Sequence, residues 1–369
     1  MKQERDFGLD LLRIICMLMV VCLHAFNHGG LVEGTLVPST ANFYLGNAMF
    51  ALCLPAVNCF VMISGYFLCT ADFKLKKLIS IWGQAFFYSV SIACIVMLLG
   101  SQAFSLKELV KSFLVVSLKR YWFVSAYILM YAVMPFLNCA IRAMDRKTHL
   151  LCCGTLLGIF SVLHNMMYIS DFGGINGGYS FLWFCILYIV AAYFRLYVPK
   201  RIKHQKWMLP GYFCSVLLIC GERFLAYWIT PYIFGTVKLT SLFYSYNSIM
   251  NVLAAFCLFQ FFRGVTVRHA FTKKLIAFFA PLTFAVYLIS DHTILREVLW
   301  SWLHPSAYYA SPWMAFYVLA CVVGIFFVCC AVEWCRKVLC GKIGITDGIS
   351  KLCDKIQNKL CDVMARCTQ

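Results

Sequence analysis

The feature that most constrains this chain is a succession of apolar runs, each close to the ~20 residues a helix needs to cross a bilayer. They fall near 9–27, 46–69, 78–99, 121–140, 149–169, 179–198, 207–229, 244–263, 274–290 and 312–335. In hydrocarbon every backbone N–H and C=O must be satisfied within the segment or a closed sheet, so runs of this length read as α-helices. Composition agrees: 62% of the residues are hydrophobic and 13% charged, with a mean hydropathy of +0.80, whereas soluble domains are nearer half apolar and a quarter charged. The expected architecture is an all-α, polytopic integral membrane protein of about ten transmembrane helices. Residues 1–335 form one membrane-embedded domain, and 336–369 a cytoplasmic amphipathic tail. The basic start is followed by no small-residue cleavage site, so the first run is expected to stay in the mature chain.

The net charge of +17 resembles that of a nucleic-acid binder, but its distribution excludes that class. Lys and Arg concentrate in alternate connections: the N-terminus, 70–77, 141–148, 195–206 and 263–274. The intervening loops 28–45, 171–178, 230–243 and 291–311 hold only Lys238 and Arg296. By the positive-inside rule both termini are expected to be cytoplasmic, and the multi-pass chain is expected in the plasma membrane. Segment 100–120 departs from the rule, carrying Lys107, Lys111, Lys119 and Arg120 on the expected outer side. Its apolar stripe Leu106, Leu109, Val110, Phe113, Leu114 predicts an interfacial helix. The tail repeats that pattern with Ile349, Leu352, Ile356, Leu360 and Val363 beside Lys351, Lys355 and Lys359, as expected of a helix lying on anionic lipid. The 21 cysteines are scattered through apolar runs without CxxC pairs, so they read as small core residues.

The first run carries residues that hydrocarbon does not tolerate: Asp10, Arg13 and His24. Each costs several kcal/mol there unless satisfied. Eleven residues separate Arg13 from His24, roughly 1,100° of helical rotation, so the two lie within about 20° of one face and about 16 Å apart along the axis. Asp10 falls one turn before Arg13, close enough to pair with it. A protein-lined cavity along this face is the functional expectation. His28 adds a His-x-x-x-His spacing without a neighbouring carboxylate in sequence, so no metal is expected. Lys74, Lys76 and Lys77 are either ordinary cytoplasmic charge or a phosphate cluster at the cavity mouth. Glu222 and Arg223, inside an apolar run, are expected to form a structural ion pair or to snorkel to the interface rather than to act as a catalytic dyad. Asp291, His292 and Arg296 follow the ninth run and either face a substrate cavity or are solvated. Tyr121-Trp122-Phe123 fits an aromatic belt at the interface, and Gly173-Gly174-Ile-Asn-Gly177-Gly178 a flexible turn.

In order along the chain, these residues resemble a known family. Asp10-Leu-Leu-Arg13 followed by His24 resembles the first-helix signature of the membrane-bound acyltransferase family 3, the bacterial polysaccharide and cell-surface O-acyltransferases. Asn58 to Tyr66, ending Ile-Ser64-Gly65-Tyr66, resembles its second-helix block. Tyr121-Trp122 through Pro135, Gly177 to Trp183, and Leu282 to Tyr287-Leu-Ile resemble later ones. Two departures stand out: Lys74-x-x-Lys77 takes the place of an Arg-x-x-Arg motif, and Ser290 stands where histidine is usual, followed by Asp291-His292.

The resemblance implies a membrane-bound O-acyltransferase that moves an acyl group, most simply acetyl, from cytoplasmic acyl-CoA (acetyl-CoA) to a sugar hydroxyl of a lipid-linked or cell-surface glycan. Its partners would be that donor, that acceptor and membrane lipid, with no nucleic acid. His24 would act as general base or as covalent nucleophile. Arg13, with Lys74 and Lys77, would meet the phosphates of CoA, and Asp10 would orient or neutralise Arg13. Trp122, Asp291, His292 and Arg296 are candidates for contact with substrate. Two other classes stay open on the sequence: a transporter or flippase of lipid-linked sugars, and a non-catalytic membrane scaffold.

Overall fold

The computed structural model describes residues 5–34, 40–100, 105–167, 172–343, 348 and 354–357. Among them the fold is all-α with no strand. Eight helical segments are long and apolar enough to cross a membrane, and two shorter apolar helices, Phe181–Tyr197 and Ile249–Arg263, fall on the sixth and eighth expected runs. Each of the ten runs is therefore helical, while full-length crossings number eight among the described residues. The protein is a multi-pass membrane protein. Large apolar side chains such as Phe136, Leu151, Leu217 and Phe316 point outward exposed, as the lipid-facing surface of such a bundle requires.

The centre of the bundle is α1 (Phe7–His28). Asp6 caps it by accepting the Leu9 N–H at 3.2 Å, which satisfies one of the orphan donors of the first turn. Around α1 pack α2 (Ala41–Cys53) and α3 (Ala56–Leu68), two parts of one span broken at Pro55. Then follow α4 (Leu75–Leu98), the short α5 (Leu106–Phe113) and α6 (Trp122–Ala143). Next come α7 (Arg146–Leu157), α8 (Phe181–Tyr197), α9 (Met208–Phe234) and α10 (Ile249–Arg263). The last are α11 (Ala270–Phe279), α12 (Thr283–Ser290), α13 (Leu295–Leu303) and α14 (Met314–Ile343). The helices touching α1 are α2, α3, α10, α11, α12, α13 and α14, so its polar face is enclosed by protein.

Two close approaches fix the packing around the site. At Gly65 of α3, an added Cβ would stand 2.8 Å from Tyr188 Cα and 3.1 Å from Ala191 Cβ of α8, so glycine is what lets the two backbones meet. At Gly178 (φ +92°) a Cβ would stand 2.6 Å from Tyr246 Cβ, and the Tyr246 N–H donates to Gly177 O at 2.9 Å. The glycine turn is thus pinned against the segment before α10, in contrast to the flexible turn expected from its sequence.

Other polar residues in the apolar runs also depart from expectation. Glu222 and Arg223 do not pair. Arg223 donates to Asn47 Oδ1 at 2.6 Å and Thr240 O at 2.9 Å over the Tyr244 ring, while Glu222 accepts the Leu242 N–H at 3.2 Å. Adjacent helical residues diverge by about 100°, so they serve different neighbours. Glu333 of α14 is fully buried, and the sequence reading did not single it out. It accepts from Tyr88 at 2.7 Å, Gln84 at 3.1 Å and the Nε and Nη2 of Arg336 at 2.7 and 2.8 Å, tying α14 to α4. Of the tail stripe, Ile349, Leu352, Leu360 and Val363 lie outside the described residues. Within 354–357, Gln357 accepts the Leu75 N–H at 3.0 Å at the start of α4.

The Gly65 contact gives a prediction. Gly65→Ala drives a Cβ into backbone that cannot yield, an overpacking of about 1–3 kcal/mol. Gly83→Ala in α4 meets nothing within 4 Å and gains the helix preference of alanine. In detergent the first variant should melt several degrees below the parent and the second should not. Equal melting temperatures would show that α3 and α8 are not in contact through Gly65.

Candidate active site

The face of α1 that carries the polar residues opens onto one cavity of about 660 Å³. From α1 it is lined by Arg13, Met17, Val20, Leu23, His24, Asn27 and His28, which recur at three- and four-residue intervals along one face. Opposite walls come from Ser64 of α3, Trp122, Phe123 and Tyr127 of α6, and Tyr287 of α12. Arg13 and His24 thus share a single space, with Arg13 toward one end of the bundle and His24 toward the other.

At the Arg13 end, Asp10 is the anchor. Its Oδ1 accepts from Arg13 Nη1 and its Oδ2 from Arg5 Nε, both at 2.6 Å. Asp10 is buried and does not line the cavity; it fixes the direction of Arg13, whose guanidinium also lies over the Phe67 ring. Lys74 and Lys77 are exposed at the N-terminal end of α4 and are not among the lining residues. Lys77 Nζ sits 5.5 Å from the Tyr131 ring centroid, and the Tyr131 hydroxyl exchanges hydrogen bonds with the Lys74 backbone at 3.2 Å. Lys77 lies close enough to Arg13 for their charges to repel. Of Arg13, Lys74 and Lys77, only Arg13 lines the cavity.

At the other end, the C-terminus of α12 delivers Asp291. Its Oδ1 lies 3.2 Å from Arg296 Nη1, 3.4 Å from His28 Nε2 and 4.0 Å from His24 Nε2. Asp291, Arg296, His28 and His24 all line the cavity. The His24 contact is longer than a hydrogen bond, and His24 Nδ1 has no hydrogen-bond partner among the described residues. His24 therefore keeps both ring nitrogens unspent in a largely buried site, with a carboxylate near one of them. His28 completes a two-histidine, one-aspartate neighbourhood that chain order alone did not show. No group of three ligating side chains arranged to hold a metal ion occurs among the described residues.

His292, one residue on, is turned away. Its Nε2 lies 3.0 Å from Ser89 O, and its Nδ1 accepts the Ile294 and Leu295 N–H groups at 3.3 Å. Both nitrogens serve backbone, and the residue does not line the cavity. Here the helix has ended, so neighbouring side chains diverge. The aromatic triplet also departs from an interfacial belt. Tyr121 is buried and donates to Leu288 O at 2.9 Å, while Trp122 and Phe123 turn into the cavity. Trp122 stacks with Tyr246 (ring centroids 5.9 Å apart, 18° between planes) and packs against Tyr179 at 4.5 Å. Tyr179, Tyr246, Tyr127, Tyr287, Ser64 and Asn27 also line the cavity, and the sequence had given none of them a site role. For Asn27 the signal was present: it lies three residues beyond His24, on the same face.

The arrangement offers a cation at one end of a tunnel, an uncommitted imidazole beside a carboxylate at the other, and an aromatic wall between α6 and the pinned glycine turn. Neither any curated protein nor any solved structure matches the chain significantly. A family model described as an acyltransferase domain, that of acyltransferase family 3, matches residues 6–333, from the helix cap of α1 to the buried Glu333. The chain belongs to the acyltransferase 3 family.

Proposed function

We propose that this family member transfers an acyl group, most simply acetyl, from acyl-CoA to a sugar hydroxyl of a lipid-linked or cell-surface glycan. One observation carries the reading: Arg13 and the His24–Asp291–Arg296 group line the same cavity along a single face of α1. The donor has phosphates at one end and a thioester at the other, joined by an arm comparable in length to the ~16 Å offset between Arg13 and His24. Phosphates at the mouth suit Arg13, whose fork Asp10 holds in place, with Lys74 and Lys77 adding positive charge outside. The alternation of basic loops supports a cytoplasmic position for that end and for both termini, in a plasma membrane.

The thioester would lie beside His24. As general base, His24 removes the proton of the acceptor hydroxyl while the oxygen attacks the thioester carbonyl. The tetrahedral species then collapses, expelling CoA thiolate. The imidazolium formed on His24 faces Asp291 at 4.0 Å. An opposite charge at that distance is worth about 4 kcal/mol at an effective dielectric of ~20, and Arg296 offsets part of it. Asp291 thus acts as a positioning and charge-stabilising residue, with His28 and Arg296 holding it. Asn27 and Arg296 are lining donors at the same end, suited to the developing oxyanion. Trp122, Tyr179 and Tyr246 offer the ring faces on which the C–H surface of a sugar stacks. No metal enters this chemistry.

Three variants and one trapping experiment test the proposal in vesicles reconstituted with purified protein and labelled acetyl-CoA, with glycan acceptor present for the variants. His24→Ala, inserted normally, should lose about 10²–10⁴-fold in transfer rate; the parental rate would overturn the assignment. Labelled acyl groups trapped on the protein without acceptor would make His24 a nucleophile instead. Arg13→Gln should raise the donor KM about tenfold or more with a smaller change in kcat, in line with the loss of charge-assisted hydrogen bonds. Asp291→Asn should do the converse, lowering kcat about 10–100-fold with little effect on donor KM. If Asp291→Asn changes only KM, the residue contacts donor and does not stabilise His24.

A further inference from the structure

The chain spends positive charge where the positive-inside rule disfavours it. Between Ser105 and Arg120 lie Lys107, Lys111, Lys119 and Arg120 against one carboxylate, Glu108. This segment follows α4, so it sits at the end of the bundle that carries His24, where the other connections hold only Lys238 and Arg296. Ser89 of α4 donates to Ser112 O at 2.8 Å, and the carbonyl of that same Ser89 takes His292 Nε2. The basic segment therefore adjoins the Asp291 region through one α4 residue.

Three observations say what this segment is built to hold. The apolar residues of α5, Leu106, Val110 and Phe113, are exposed, as is Leu114 just beyond it, so α5 lies with an apolar face toward the bilayer at headgroup depth. Glu108 is neutralised by Lys111 Nζ at 2.6 Å and Arg120 Nη1 at 2.9 Å; those hydrogen bonds lower its carboxyl below the usual range. Finally, Arg120, whose side chain is 9% exposed, has no hydrogen-bond partner on Nε or Nη2 among the described residues. These two nitrogens form the side-on fork of a guanidinium. Elsewhere in this protein the same edge of Arg336 grips Glu333 at 2.7 and 2.8 Å. A guanidinium edge left without a partner in this way matches two oxygens of a carboxylate or phosphate. At headgroup depth, phosphate is the oxyanion that lipids supply.

We propose that Arg120, with the exposed Lys107 and Lys119 of the same segment adding positive charge, forms a binding site for the phosphate headgroup of a lipid lying in the leaflet at the His24 end of the bundle. The phosphate would be held on the Nε/Nη2 edge of Arg120, with the lipid chain along the exposed apolar side of α5. Arg120 is joined through Tyr121 to the cavity-lining Trp122, so a headgroup that carries a sugar would be held beside the aromatic wall. The site needs no acyl donor, and it stands or falls separately from the role of His24.

Native mass spectrometry of the detergent-purified full chain tests it, with geranylgeranyl pyrophosphate, geranylgeraniol and inorganic pyrophosphate as probes. The pyrophosphate lipid should be retained and the alcohol should not. Arg120→Gln should weaken retention at least about tenfold. Lys107→Gln/Lys119→Gln, which alters exposed side chains only, should weaken it severalfold and flatten its salt dependence. That double variant carries the test if Arg120→Gln folds poorly. Competition by dioleoylphosphatidylglycerol at equal strength would identify bulk anionic lipid as the occupant, and its failure to compete an isoprenoid-type carrier; either supports a lipid phosphate site. Retention unchanged in both variants, or inorganic pyrophosphate binding as tightly as the lipid, would overturn the proposal.

Discussion

Everything in this structure follows from one constraint: Arg13 and His24 stand on the same face of one membrane helix, and that face cannot be left to hydrocarbon. The bundle answers by placing α1 at its centre, so that the polar stripe opens inward onto a cavity. The far wall supplies what the stripe lacks, namely a carboxylate for the histidines and aromatic surface between the two ends. Close packing elsewhere, as at Gly65 against Tyr188, is what permits helices to crowd around a core that holds an open space.

The two ends of the cavity are held by different means. Asp10 satisfies two guanidinium groups and is spent entirely on structure, which leaves Arg13 pre-aimed but still partly accessible. Asp291 is shared among three partners at increasing distance, and His24 is the one left without a hydrogen bond. An imidazole in that state can take up a proton without first breaking a bond, while the nearby charge favours the cation that results. The contrast with His292, both of whose nitrogens are committed to backbone, separates a histidine available for chemistry from one that stabilises a helix end.

Much of the site could be read in the chain because helical geometry is periodic. The eleven-residue interval from Arg13 to His24 fixes a shared face, and Asn27 and His28 extend it by the same rule. Side chains whose direction depends on how a helix ends could not be read this way. Asp291 and His292 are adjacent and equally polar, yet one enters the cavity and the other turns back to Ser89. Trp122 and Phe123 look like interface anchors in a hydropathy profile and become cavity walls because α6 packs with that face inward. Glu222 and Arg223 suggested an ion pair by proximity in sequence, but a helix sends neighbours to different partners.

By itself the sequence determined the membrane-spanning helical class, the alternation of basic connections and the single polar face of α1, all of which depend on local composition and helical period. Its ordered motifs also marked the family to which the chain belongs. Only the tertiary structure decided that Asp291 meets His24 and His28, that Lys74 and Lys77 do not line the cavity, and that one edge of Arg120 has no partner among the described residues. Those facts depend on contacts between segments distant in the chain, and no periodicity encodes which helix will face which. The first helix announces that it needs partners; the packing of the others determines which residues they are.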